Sequence, residues 1–155
     1  MAIAPTLQKY LDRNVVYDVI THEPTVTSGR TAQACHVSGD QLAKAIVLRR
    51  NGNYLLAVVP ASHHIRVTDL KSQLGDDVDL ADEKELKRLF PDCVPGAVPA
   101  VGQCYDLDVI IDDSIQQPAD VYLEGGDHMT LIHLTQAEFA RLMADARHFR
   151  FSVHD

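Results

Sequence analysis

Ala43-Lys44-Ala45-Ile46-Val47-Leu48-Arg49-Arg50-Asn51-Gly52-Asn53-Tyr54-Leu55-Leu56-Ala57-Val58-Val59-Pro60 reads as a β-hairpin. Two apolar runs, residues 43–50 and 53–60, flank Asn51-Gly52, a dipeptide in which both residues tolerate the positive φ of a type I′ turn. Each run is apolar on both faces. Ala45 and Val47 oppose Ile46 and Leu48, while Leu55, Ala57 and Val59 oppose Tyr54, Leu56 and Val58. Strands of that kind belong in the middle of a sheet. Lys44 is the exception, because alternation puts it on the face of Ile46 and Leu48. An ammonium there without an anionic partner is costly or loses its proton, so the residue points to anion binding. The plainer reading is a strand-end lysine that snorkels to water or pairs with a carboxylate such as Asp40.

Outward from the hairpin, Leu7, Tyr10 and Leu11 have helical spacing within Thr6 to Arg13, and Val15 to Ile20 reads as a strand. Thr25 to Cys35 has Thr and Ser as caps and reads as a short helix. Past Ser62-His63-His64 a helix from Thr68 to Leu74 stops at Gly75. A short strand at 78–81 then leads into a helix from Asp82 to Phe90, stopped by Pro91. Strands are expected at 107–111, 121–123 and 129–134. Thr135 and Glu138 then have the capping-box spacing for a last helix carrying Phe139, Leu142 and Met143.

The 155 residues, 46% hydrophobic, suffice for one domain with an ordinary core. Three cysteines at wide spacings, Cys35, Cys93 and Cys104, form no CxxC pair and fit a reducing cytoplasm. No run approaches the roughly 18 apolar residues of a membrane span. With 22 acidic against 14 basic residues, net charge -8, the chain does not read as a protein that coats DNA or RNA. A local pocket with one or two cations still suits the end of an RNA.

Four segments in order carry a resemblance: the strand entered through Lys44, the strand ending Val58-Val59-Pro60, the loop Gly96-Ala97-Val98-Pro99-Ala100-Val101-Gly102, and Glu124-Gly125-Gly126-Asp127-His128 with its closing strand and helix. They resemble the YbaK and prolyl-tRNA-synthetase-associated editing domains, and the closing helix extends the likeness to most of the chain. The resemblance implies an α+β fold, a single domain over 1–155 with a curved, partly barrel-like mixed sheet and flanking helices. It also implies an aminoacyl-tRNA deacylase that hydrolyses mischarged tRNA in trans. Its partner would be the acceptor end of the tRNA, met either alone or together with an aminoacyl-tRNA synthetase, and its target a small amino acid such as alanine or cysteine on proline tRNA.

Under the resemblance Lys44 holds the phosphate near the terminal adenosine, and the main chain of Gly102 positions water or a ribose hydroxyl. Gly96, Val98, Pro99, Gly126, His22 and His128 are the substrate-binding candidates. Pro99-Ala100 stands where many members have two prolines, which bears on the rigidity of the loop. An aminoacyl ester already has a good leaving group, so positioning and electrostatics serve without a nucleophilic triad, a metal or an organic cofactor. The histidines show no HxH, HxxxH or HExxH spacing. The cysteines read as small apolar filler before they read as nucleophiles. Lys84, Lys87 and Arg88, interleaved with Asp82, Glu83 and Glu85, read as a solvated helix face. The alternative function is a non-catalytic module on the same fold that binds a nucleotide, an RNA end or a protein.

Overall fold

The computed structural model describes residues 3–23 and 28–155, with only the backbone for Ser28 and Gly29. In chain order the elements are α1 (Pro5–Asn14), β1 (Asp18–Thr21), α2 (Ser28–Ala34), β2 (Leu42–Arg50), β3 (Asn53–Pro60), β4 (His63–Ile65), α3 (Val67–Leu74), β5 (Asp79–Leu80), α4 (Glu83–Leu89), β6 (Asp108–Asp112), β7 (Asp120–Glu124), β8 (Thr130–Thr135), α5 (Gln136–Leu142), β9 (Arg147–Phe149) and β10 (Ser152–His154). Single 3-10 turns occupy Pro95–Ala97, Gln103–Tyr105 and Asp113–Gln116. The fold is one α+β domain.

The hairpin forms where the sequence puts it. β2 and β3 pair antiparallel with Lys44 opposite Val59, and Asn51 (φ 49°) and Gly52 (φ 79°) make the turn. Both strands are central, as their two apolar faces require. One mixed sheet runs β1-β8-β7-β2-β3-β6-β9, with β5 paired to β2, while β4 and β10 form a separate ladder. β2 is parallel to β7, and β6 is parallel to β3 and β9.

Alternation divides the core between two faces. Val47, Leu56, Val58, Val109 and Ile111 pack with Leu7 and Leu11 of α1 and Phe139 of α5. Leu48, Leu55, Ala57, Val59 and Ile110 pack with Leu70 of α3 and Phe151. Leu42 and Leu131 meet Ala32 of α2 in a third cluster. Complete burial of a leucine such as Leu7 or Leu11 stabilises by about 1.5–3 kcal/mol each, and their i, i+4 spacing is what aims both at the sheet.

Several elements differ from expectation. The strand expected from Val15 pairs only from Asp18, because the Val15 amide ends α1 on the Leu11 carbonyl and the Val16 amide donates to Glu138. Those two amides are thereby lost to the ladder, and Val16 is left 75% exposed. The helix expected over 25–35 is present over Ser28–Ala34, one residue short of Cys35, and residues 25–27 of that expectation lie outside the described residues. Glu85 does not belong to a solvated face. It closes a capping box with Asp82, accepts the Tyr54 hydroxyl, pairs with Arg49 at 3.4 Å and is buried.

β4, β9 and β10 were not expected. Asp112 anchors this end of the chain, its Oδ1 accepting the amides of Phe151 at 2.8 Å and Ser152 at 3.0 Å, while Oδ2 accepts from the Ser114 amide and hydroxyl. Burial opposes its charge, yet these donors hold the carboxyl below the ordinary aspartate range.

Candidate active site

Lys44 stands half-buried near the start of β2, opposite Val59 at the end of β3 that leads on to β4. Its Nζ donates to the His63 carbonyl at 2.6 Å, its one hydrogen bond among the described residues. Burial pushes its pKa down, and the nearby charge of Asp155 pulls it back up. Asp40 is not its partner, since that carboxylate accepts the Ser62 hydroxyl at 2.5 Å and pairs with His154 at 3.2 Å. An ammonium has three donors, so Lys44 keeps capacity for an anion.

The parallel rungs Leu42↔Tyr122 and Ala43↔Leu123 set Lys44 one step beyond the last β2–β7 pair, level with Glu124 and on the same face. Glu124 in turn pairs with Leu131, and Leu131 with Ile20, so one row crosses β1, β8 and β7 and ends beside Lys44. Glu124 is 1% exposed, and neither carboxylate oxygen has a partner within hydrogen-bond distance among the described residues. Burial pushes its pKa up to about 7; the nearby Thr31 hydroxyl opposes the rise and Asp127 adds to it. Lys44 and Glu124 make no ion pair. In the sequence, the signal at Glu124 is an acidic residue two positions from Tyr122 on one face of a strand.

The turn after Glu124 is tightly built. The Gly125 amide donates to the Thr130 carbonyl, and Asp127 accepts the Met129 amide and the Thr130 hydroxyl. Gly126 takes φ 110° and His128 φ 61°. His128 is buried, with its pKa pushed down first by burial and then by the nearby His22. The His22 amide donates to the Met129 carbonyl at 2.7 Å, which ties β1 to this turn. His22 Nδ1 lies 2.7 Å from the Glu23 carbonyl and so carries its proton there, leaving buried Nε2 with no partner among the described residues. A shallow cavity of about 490 Å³ opens here between Ile20, His22, Ala34, Cys35 and Met129. Another, of about 370 Å³, lies at the far end of the hairpin around the Arg50–Asp76 ion pair and Arg147, away from Lys44.

The glycine-proline loop divides between the two regions. The Val94 amide donates to the Gly126 carbonyl at 2.7 Å, so exposed Gly96 begins the loop near the Gly126–His128 turn. Val98, Pro99 and Gly102 are buried, and Val98 joins the cluster on the face of Ala43 and Val47, opposite Lys44. The Gly102 carbonyl accepts the amides of Tyr105 and Leu107, and a Cβ there would stand 2.8 Å from Val109 Cγ2. Val109 is level with Leu56 and Val47, three residues along β2 from Lys44. Thus Lys44, Gly126, His22 and His128 lie toward the end of the sheet that carries Glu124, Gly96 follows two residues after the Val94–Gly126 hydrogen bond, and Val98, Pro99 and Gly102 are buried.

Burial pushes the Cys93 and Cys104 thiols up to about 12, which suits packing and not nucleophilic attack at neutral pH. No cluster of three metal-ligating side chains exists among the described residues. His63 and His64 diverge onto Ser152 and Asp155, while His133 lies between Asp18 and Asp120. Arg88, itself exposed, donates to the Tyr54 hydroxyl at 2.7 Å, and Lys84 and Lys87 are exposed beside it on α4. No helix among the described residues is long and apolar enough to cross a membrane.

Residues 22–142 match the family model described as the aminoacyl-tRNA editing domain. The chain is 31% identical over 100 residues, 63% of its length, to a proline–tRNA ligase of Trichlorobacter lovleyi, of which it spans 17%. A crystal structure described as a proposed trans-editing enzyme for prolyl tRNA synthetase superposes with TM-score 0.84 at 22% identity, covering 97% of this chain and 96% of the other. A second, described only as a hypothetical protein, gives TM-score 0.83 at 20% identity over 96% and 99%.

Proposed function

The chain belongs to the aminoacyl-tRNA editing domain family, and from that premise we propose that it is a deacylase that clears mischarged tRNA in trans. The amino acid removed is small and non-cognate, with alanine or cysteine on proline tRNA as the first candidates. The observation that carries the reading is Lys44, a half-buried ammonium with a single backbone acceptor on a face otherwise built as core.

Lys44 neutralises a phosphate beside the terminal adenosine as a compact point charge. Holding the nucleotide there places the ester toward the Gly126–His128 turn, where exposed Gly96 lets main chain approach a ligand without a Cβ in the way. Water then attacks the ester carbonyl, the ribose oxygen leaves with a proton, and free amino acid is released. Positioning of the ester, with preorganised charge, supplies the acceleration, so the chemistry calls for no metal and no covalent intermediate. Steric size limits the amino acid, since a pocket excludes a larger side chain far better than it rejects one lacking a methylene.

The test is release of amino acid from tRNAs charged with alanine, cysteine, serine and proline, comparing wild type with Lys44→Ala at matched folding. Lysine-dependent turnover on one or two of them is the expected result. Tight binding of tRNA without turnover on any of them would replace the enzyme with a binding module.

A further inference from the structure

The row Ile20–Leu131–Glu124, ending beside Lys44, contains one carboxylate that the reading above does not use. Glu124 is buried, and both its oxygens lack protein partners among the described residues. Lys44 does not neutralise it, because Nζ turns to the His63 carbonyl instead. Neighbouring strands stand about 4.8 Å apart. The register therefore sets a cation and an anion on adjacent backbones and on one face of the sheet, not paired with each other.

A buried carboxyl without a partner is costly, and a ligand that brings a cation removes that cost. The deacylase substrate is dipolar in the matching sense. Its nucleotide end carries phosphate, and its acyl end carries one cation, the α-ammonium of the esterified amino acid. We propose that Glu124 binds that α-ammonium and thereby restricts the site to aminoacyl-tRNA with a free amino group, excluding N-acylated and peptidyl-tRNA. The inference rests on the deacylase reading and assigns a specificity residue to it.

An N-acylated substrate lacks the charge to pair with Glu124, whose carboxyl is 1% exposed where β7 pairs with Leu131 of β8. Cys35 lies near it, since its thiol is pushed up by burial and then by the charge of Glu124. Binding the ammonium also orients the ester, because the α-carbon lies one bond from the carbonyl under attack.

The experiment uses whichever alanyl, cysteinyl, seryl or prolyl ester the full-length wild type cleaves fastest, with and without N-acetylation, under single-turnover conditions. Wild type is expected to favour the free amine by at least roughly 100-fold, and Glu124→Gln to lose most of the rate on the free amine while leaving the slow N-acetyl rate unchanged. The ratio between the two substrates then collapses toward one, which a merely structural defect does not produce because it slows both alike. Equal wild-type rates on the two substrates, or a proportional loss on both in the variant, overturns the assignment while the deacylase stands. A wild type that cleaves no charged tRNA removes the deacylase and this assignment together. If Glu124→Gln does not fold, Glu124→Met, of similar size and uncharged, is read on the same two substrates, and a ratio as large as in wild type overturns the assignment.

Discussion

Replacing Glu124 by glutamine should make the protein's stability less sensitive to pH, and the size of the effect follows from burial. The carboxyl titrates near 4.5 when free and at about 7 in the fold, chiefly because burial penalises the charged form. Between those values the native state holds a proton that the unfolded chain has released. Stability is therefore undiminished below pH 4.5, falls as pH rises, and levels off above 7. At 1.36 kcal/mol per pH unit, linkage gives a loss of about 2.5 kcal/mol between pH 5 and pH 8. Glutamine has the same shape and no charge, and the cost of burying its amide is the same at both pH values. Urea unfolding of wild type and Glu124→Gln at pH 5, 6, 7 and 8 isolates the difference, since other titrating groups are common to both. The variant should gain about 2.5 kcal/mol relative to wild type across that range. Parallel stability profiles for the two proteins would refute the argument, showing that Glu124 is solvated or paired in solution.

Two further outcomes test the scaffold around the site. Gly126→Ala should cost about 1–3 kcal/mol in thermal or urea unfolding, because φ 110° strains any side chain and the new Cβ would meet Ala4 Cβ at 2.9 Å. Asp112→Ala should cost about 2–4 kcal/mol by orphaning the Phe151 and Ser152 amides, whose hydrogen exchange should speed up while amides of β2 and β3 keep their ranking. Protection of Phe151 and Ser152 unchanged in that variant would remove Asp112 from its anchoring role.

The sequence was most legible where local chemistry agrees with burial. The central hairpin could be read because Asn51-Gly52 suits its turn and both strand faces are apolar, and tertiary structure only confirms such a segment. The helix stop at Gly75 and the Thr135 cap were readable for the same reason, since each depends on residues within one turn. Lys44 stood out because it is a charge beside Ile46 and Leu48 on a face that otherwise reads as core. Elements held by distant partners were not legible. β9 and β10 carry Arg147, His148, Ser152 and His154, with little apolar pattern, and exist because β6, β4 and the Asp112 carboxylate supply their hydrogen bonds. Glu85 looked solvated because its neighbours on α4 are charged, and only the approach of Tyr54 and Arg49 from the hairpin buries it.

The candidate site divides along the same line. Sequence by itself determined that a cation sits on a core face of a central strand, because side-chain direction in a strand follows from backbone geometry alone. Which groups share its surroundings was decided only by register between strands far apart in the chain. The β2–β7 register brings Glu124 level with Lys44 across 80 residues of sequence, and the Val94–Gly126 hydrogen bond draws Gly96 rather than Gly102 toward the turn. Register is set by the fit of whole apolar faces, which no short window of sequence contains.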